Sequence, residues 1–116
     1  MTHIGRVARG RFHRLITRHL PGSERLGDIA VIYEHLPPHT ALPRVHHRRT
    51  GEFIYCTSGA MTAYLGDKRY RIRTGSIVYL PPKVRHRFVT GKQACEAISI
   101  FHPHLAIAPG ADIHTD

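Results

Sequence analysis

Val45-His46-His47-Arg48-Arg49-Thr50-Gly51-Glu52-Phe53-Ile54-Tyr55-Cys56-Thr57-Ser58-Gly59 decides how the rest of the chain is read. It joins two imidazoles and a carboxylate, all metal-ligating types, to a β-branched and aromatic run that a glycine stops. Alternate side chains of a strand share a face. Residues 45 and 47 therefore face one way and His46 the other, while Glu52, Ile54 and Cys56 point together.

Outward from this stretch the chain reads as strands at short intervals. Upstream, the run from Ile29 to His35 is β-branched and aromatic, and Pro37, Pro38 and Pro43 force an extended, irregular connection because proline cannot donate to a ladder. Downstream, Ala60 to Leu65 and Lys68 to Arg73 flank the turn dipeptide Gly66-Asp67. The second of these alternates strictly, with Arg69, Arg71 and Arg73 on one face and Tyr70 and Ile72 on the other. Ser76 to Leu80, Val84 to Thr90 and Ala94 to Phe101 complete seven or eight strands without a convincing core helix, which predicts a sandwich or barrel. Within Val84 to Thr90, Val84, His86 and Phe88 share one face, opposite Arg85 and Arg87.

The whole chain is 116 residues, enough for one domain with one core. The expected division is a basic N-terminal arm over 1–27, a β-barrel over 28–102 and a tail over 103–116. The arm holds Arg6, Arg9, Arg11, Arg14 and Arg18 with no acid in its first 23 residues. It lacks the apolar core of a secretory signal and the serine content of a transit peptide, so it is expected to pack on its own or a neighbouring subunit. The net charge of +9 favours anions as partners without choosing among them. Nucleic acid is disfavoured, because no aromatic residues interleave the Arg69, Arg71 and Arg73 face to stack bases. Two cysteines, Cys56 and Cys95, make no disulfide framework and fit a cytoplasmic protein. No apolar run reaches transmembrane length, so no membrane partner is expected.

These residues resemble the cupin family, whose two motifs are G-x5-H-x-H-x(3–4)-E-x6-G and G-x5-P-x-G-x2-H-x3-N. Here six residues separate Glu52 from Gly59, and four separate His47 from Glu52. Gly75 is followed by five residues and Pro81, which places the second motif's histidine on His86. Val45 stands at the first motif's first histidine, Lys83 at the second motif's glycine and Thr90 at its asparagine. The resemblance covers about Asp28 to Phe101. It implies a double-stranded β-helix, the jelly-roll barrel, and a divalent transition metal (Fe, Zn, Mn or Ni) held by His47, Glu52 and His86. It also implies a small-molecule ligand, an anion on the charge balance, and a homodimer.

Two ligand arrangements stay open. With Val45 inward, the ion has two histidines and one carboxylate, the set of non-haem iron oxygenases. With the bend at Pro43 turning His46 inward, a fourth ligand is restored. Tyr64, Tyr79, Phe88, Cys56 and Met61 are candidate pocket-lining residues. His3, His13, His19, His35, His39 and His114 read as surface residues, and so do His102 and His104 around Pro103. Function divides between a metal-dependent dioxygenase, a metal-dependent isomerase or epimerase, and a non-catalytic ligand-binding or sensing module with a degenerate metal site.

Overall fold

A computed structural model of the chain describes residues 8–20, 22–105 and 110–115. Eight strands run in chain order: β1 Ala8–Phe12, β2 Leu15–His19, β3 Ala30–Leu36, β4 Gly51–Leu65, β5 Lys68–Arg73, β6 Ile77–Leu80, β7 His86–Val89 and β8 Cys95–His102. A short 3₁₀ turn, Ser23–Leu26, stands between β2 and β3. All strand pairings are antiparallel. No helix among the described residues is long and apolar enough to cross a membrane.

The molecule is organised by β4, which belongs to two sheets. Its first half pairs with β8 and β6, from Gly51↔His102 to Gly59↔Cys95 and from Glu52↔Leu80 to Tyr55↔Ile77. Its second half, from Ala60, pairs with β5 and β7. The change of sheet coincides with a bulge between Cys56 and Ser58 and with a left-handed backbone at Gly59 (φ +81°). Such an irregularity bends a strand and lets it turn a corner. The glycine expected to stop one strand and start another is instead the corner of a single 15-residue strand.

The expected arm contains, from Ala8 on, a hairpin whose second strand pairs with β3 through Ile16↔His35 and Thr17↔Glu34. Its basic and histidine side chains hide the alternation, yet Leu15 and Thr17 are buried while Arg14 and Arg18 face solvent. Of the expected arm, residues 1–7 and Pro21 lie outside the described residues. Within the expected tail, Leu105 is buried and packs with Ala30, Ile32 and Phe101, joined by Ile113.

Inward positions follow the period of two: Ala30, Ile32 and Leu36 on β3, Ile54 and Cys56 on β4, and Ala97 and Phe101 on β8. The proline-interrupted connection lies along β7 through Leu42 N–H to Phe88 O (3.0 Å) and a reciprocal pair between Val45 and His86 (2.9 and 2.8 Å). Pro43 breaks this ladder because it has no donor. Thr90 fastens the start of the same connection, accepting from Thr40 N–H (3.0 Å) and donating to the Pro37 carbonyl.

Candidate metal centre

Two strands and one loop converge on a buried polar cluster. β4 contributes Glu52, β7 contributes His86, and the loop before β4 contributes His47. Their side chains are 5%, 4% and 7% exposed, so three titratable groups are held away from water. His47 Nε2 lies 3.6 Å and His86 Nε2 4.0 Å from Glu52 Oε1, and one ligand atom from each residue falls within 4.8 Å of the others. Donors about 2.1 Å from a common ion stand about 3.0 to 4.2 Å apart as the angle between them opens from 90° to 180°. The cluster therefore suits one ion with little rearrangement.

The outer hydrogen bonds settle which nitrogens are free. His47 Nδ1 donates to the Asp112 carbonyl (2.6 Å) and His86 Nδ1 to the Val84 carbonyl (3.0 Å). A carbonyl oxygen can only accept, so both protons sit on Nδ1 and both Nε2 atoms turn to Glu52. Fixing a ligand imidazole through its other nitrogen is a regular feature of metal sites. Burial pulls the His47 imidazole down, but Glu52 and the Asp112 carbonyl lift it above its ordinary value. For His86, burial outweighs the attraction of Glu52, and the imidazole stays below its ordinary value. Between the two imidazoles, the surroundings thus favour a second proton on His47 over one on His86. An incoming cation would displace such a proton, as metal binding to a titratable site requires.

Val45 is buried and lines the cavity above the cluster, whereas His46 turns away. His46 exchanges backbone hydrogen bonds with His114 (2.8 and 3.0 Å), and the two rings stand 5.3 Å apart. The structure thus brings three of the four expected ligands together and leaves His46 out, because the chain from Val45 to His47 keeps strand parity despite Pro43. His114 is no isolated surface residue either, since its Nε2 lies 2.8 Å from Asp112 Oδ1.

The expected pocket residues separate by the same parity. Phe88 lines the cavity, and Met61 lines an adjoining one beside Glu34 and Cys95. Cys56 lies fully buried in the core, its sulfur 3.6 Å from that of Cys95. Burial and the neighbouring thiol push Cys95 up to about 12, so it remains a protonated, unreactive packing group. Tyr64 and Tyr79 do not reach the cavity. Tyr64 carries the Arg87 guanidinium 4.6 Å from its ring centroid, and Tyr79 is 54% exposed against Phe53.

Two residues with functional positions escaped the sequence reading. Glu34, on β3, lines the cavity from the same sheet as Glu52, with β8 between them, and accepts a hydrogen bond from Ser99 Oγ. Burial, reinforced by the charge of Glu52, pushes its carboxyl up to about 8. The signal was available, since Glu34 has the inward parity of Ile32 and Leu36. Asp112, which holds the loop carrying His47, lies in the tail and had no pattern to reveal it.

The remaining lining is mostly apolar, with Phe12, Leu15, Leu42, Phe101, Leu105 and Ile113 around the polar floor. A cavity with apolar walls and a few convergent polar groups is the usual form of a small-molecule site.

Comparison with known proteins agrees with this architecture. Protein SchB of Streptomyces halstedii is 38% identical over 72 residues, 61% of this chain and 51% of SchB. The chain thus spans about half the length of that curated relative. The polyketide cyclase RemF from Streptomyces resistomycificus matches in structure with a TM-score of 0.77 at 20% identity, covering 99% of this chain and 84% of RemF. Streptomyces Pac13 with uridine matches with a TM-score of 0.77 at 15% identity, covering 91% of this chain and 86% of Pac13. The family model of the cupin domain matches residues 32–101, more than half of the chain, and the protein belongs to that family.

Proposed function

We propose that the protein is a divalent-metal-dependent enzyme for a small metabolite with an apolar body and a carbonyl or enol oxygen. The observation that carries this reading is the buried His47–Glu52–His86 cluster at the polar floor of an apolar cavity. His47 and His86, through Nε2, and Glu52 would hold the ion. A bound Zn, Mn, Ni or Fe ion supplies Lewis-acid polarisation of a ligand oxygen. Glu34 gives the cavity a second carboxylate, suited to accepting or donating a proton beside the polarised group. That favours proton-transfer chemistry, such as isomerisation, epimerisation or cyclisation, over a dioxygenase reaction. The likeness to a polyketide cyclase is in line with this choice and with the apolar walls. The positive net charge bears little on the ligand, because Arg87 is the one arginine or lysine among the described cavity-lining residues and its guanidinium lies over the Tyr64 ring. The buried free thiols are in keeping with a reducing, cytoplasmic setting.

Elemental mass spectrometry of untagged protein purified without chelators tests the reading. About one transition metal per chain is expected, with loss in His47→Ala/His86→Ala. Absence of metal even after reconstitution would overturn it and favour a binding module. That outcome would match the loss of a ligand where Val45 replaces histidine.

We also propose a homodimer. Phe53 and Tyr55 on β4, Ile77 and Tyr79 on β6 and Ile100 on β8 are each more than 40% exposed. The register places them side by side, with Phe53 opposite both Tyr79 and Ile100 and Tyr55 opposite Ile77. A contiguous apolar face of this kind marks an interaction surface. Light scattering after size exclusion should give twice the chain mass, falling to one chain in Phe53→Lys/Ile77→Lys. A monomeric parent protein would sink the dimer.

A further inference from the structure

The sharp turn from His47 into β4 presents three successive backbone N–H groups to one carboxylate. Arg48 N–H donates to Asp112 Oδ1 (2.9 Å), and Arg49 and Thr50 N–H donate to Oδ2 (2.8 and 3.2 Å). Successive amides aimed at one point form an anion-binding concavity, and here a side chain of the same protein fills it. The His114 ring also meets Oδ1 (2.8 Å). Burial would raise the Asp112 carboxyl, but these contacts hold it well below the usual carboxylate range. The backbone carbonyl of the same residue receives the Nδ1 proton of His47 (2.6 Å). One residue therefore anchors the loop with its side chain and orients the imidazole with its main chain. Beside it, the His46–His114 backbone pair ties the same segments together, and the Thr50 hydroxyl donates to the Pro103 carbonyl after β8 (3.1 Å). Ile113, next in sequence, lines the cavity.

We propose that Asp112 is a positioning residue of the metal centre, so that seating of the C-terminal segment 110–115 against residues 47–50 and binding of the ion at His47 are coupled. This rests on the metal-dependent reading above. The coupling has a physical cause. With the segment seated, His47 offers Nε2 in a fixed direction. With it released, the imidazole can rotate and exchange its proton between nitrogens, and the ion must fix both. Outer partners of ligand histidines commonly contribute about 10- to 100-fold in metal affinity. By linkage, the ion must tighten the seating by the same factor.

The test uses the full-length protein and Co²⁺ or Zn²⁺ alone. Metal stoichiometry of the unaltered protein decides the parent reading first. With that in hand, Asp112→Ala should weaken Co²⁺ binding about 10- to 100-fold in competition with a chromophoric chelator, and should alter the visible spectrum of the bound Co²⁺. Asp112→Asn keeps an acceptor oxygen for part of the amide cluster and should fall between the two. A purely structural role would lower the melting temperature of Asp112→Ala and leave affinity and spectrum as in the parent, which overturns the proposal. Should Asp112→Ala fail to fold, hydrogen exchange on the unaltered protein still decides. The Arg48, Arg49 and Thr50 amides should exchange more slowly with Zn²⁺ bound, and unchanged rates at saturating metal overturn the coupling.

Discussion

Gly59→Ala is expected to cost the protein about 4 kcal/mol or more, a large share of the 5–15 kcal/mol that holds a domain folded. Gly59 has φ +81°, and a Cβ built there would stand 1.9 Å from the Ala94 carbonyl oxygen and 2.9 Å from its carbon. Both obstacles are backbone, so no rotamer change can relieve them. Left-handed strain adds about 1–2 kcal/mol for a non-glycine residue. The close approach is inherent in the design, because Gly59 pairs with Cys95 where β4 leaves one sheet for the other. Gly66→Ala is the control, since φ there is +61° with nothing within 4 Å of the added carbon. It should show strain alone, about 1–2 kcal/mol. In urea titrations Gly66→Ala should shift the midpoint modestly, while Gly59→Ala should be unfolded or nearly so. Similar midpoints for the two would mean that strand β8 can yield at Ala94.

The same glycine shows how far the sequence could be read. Its spacing from Glu52 reveals a strand of fixed length, and strand parity then places Glu52, His86 and Phe88 inward. Pro37, Pro38 and Pro43 announce an irregular connection because proline lacks a donor. Lys83 and Thr90 look like departures from the family motif, yet each fills the physical role. Lys83 adopts φ +76° where the motif has glycine, and its N–H reaches the His47 carbonyl (2.6 Å). Thr90 binds the connecting segment at the motif's asparagine position. What stayed hidden depends on contacts between distant segments. Asp112 and His47 are 65 residues apart, and no local pattern ties a short polar tail to a loop. The β1–β2 hairpin was hidden differently: arginine and histidine on its solvent side outweighed the two or three inward residues that mark it as strand. His46 and His47 could be told apart only by which face the backbone presents, and the structure supplies that.

Glu34→Gln should stabilise the metal-free protein at neutral pH and leave it unchanged in acid. The Glu34 carboxyl is pushed up to about 8, chiefly by burial and then by the charge of Glu52, against the opposing hydrogen bond from Ser99. Below the ordinary glutamate value of 4.5, folded and unfolded states both hold the proton, and ionisation carries no cost. Between 4.5 and about 8 the unfolded state ionises while the folded state keeps its proton, so stability declines as pH rises. Above 8 both are ionised and the deficit is constant. Glutamine cannot ionise, so this contribution to the decline is absent from the variant. Thermal scans should give a melting temperature for metal-free Glu34→Gln higher by about 5 °C or more at pH 7.5, with the two curves converging near pH 4. A bound divalent cation pulls a nearby carboxyl down, so loading with Zn²⁺ should narrow the gap at pH 7.5. Parallel curves across the whole range would show Glu34 already ionised in the fold at neutral pH, and the proton-donor role proposed for it would fall. If the role holds, the variant should bind metal at the parent stoichiometry while turnover drops about 10²- to 10⁴-fold, the usual contribution of a positioned acid–base group. Stability gained and turnover lost at one side chain is the signature of a buried group kept for its chemistry rather than for the fold.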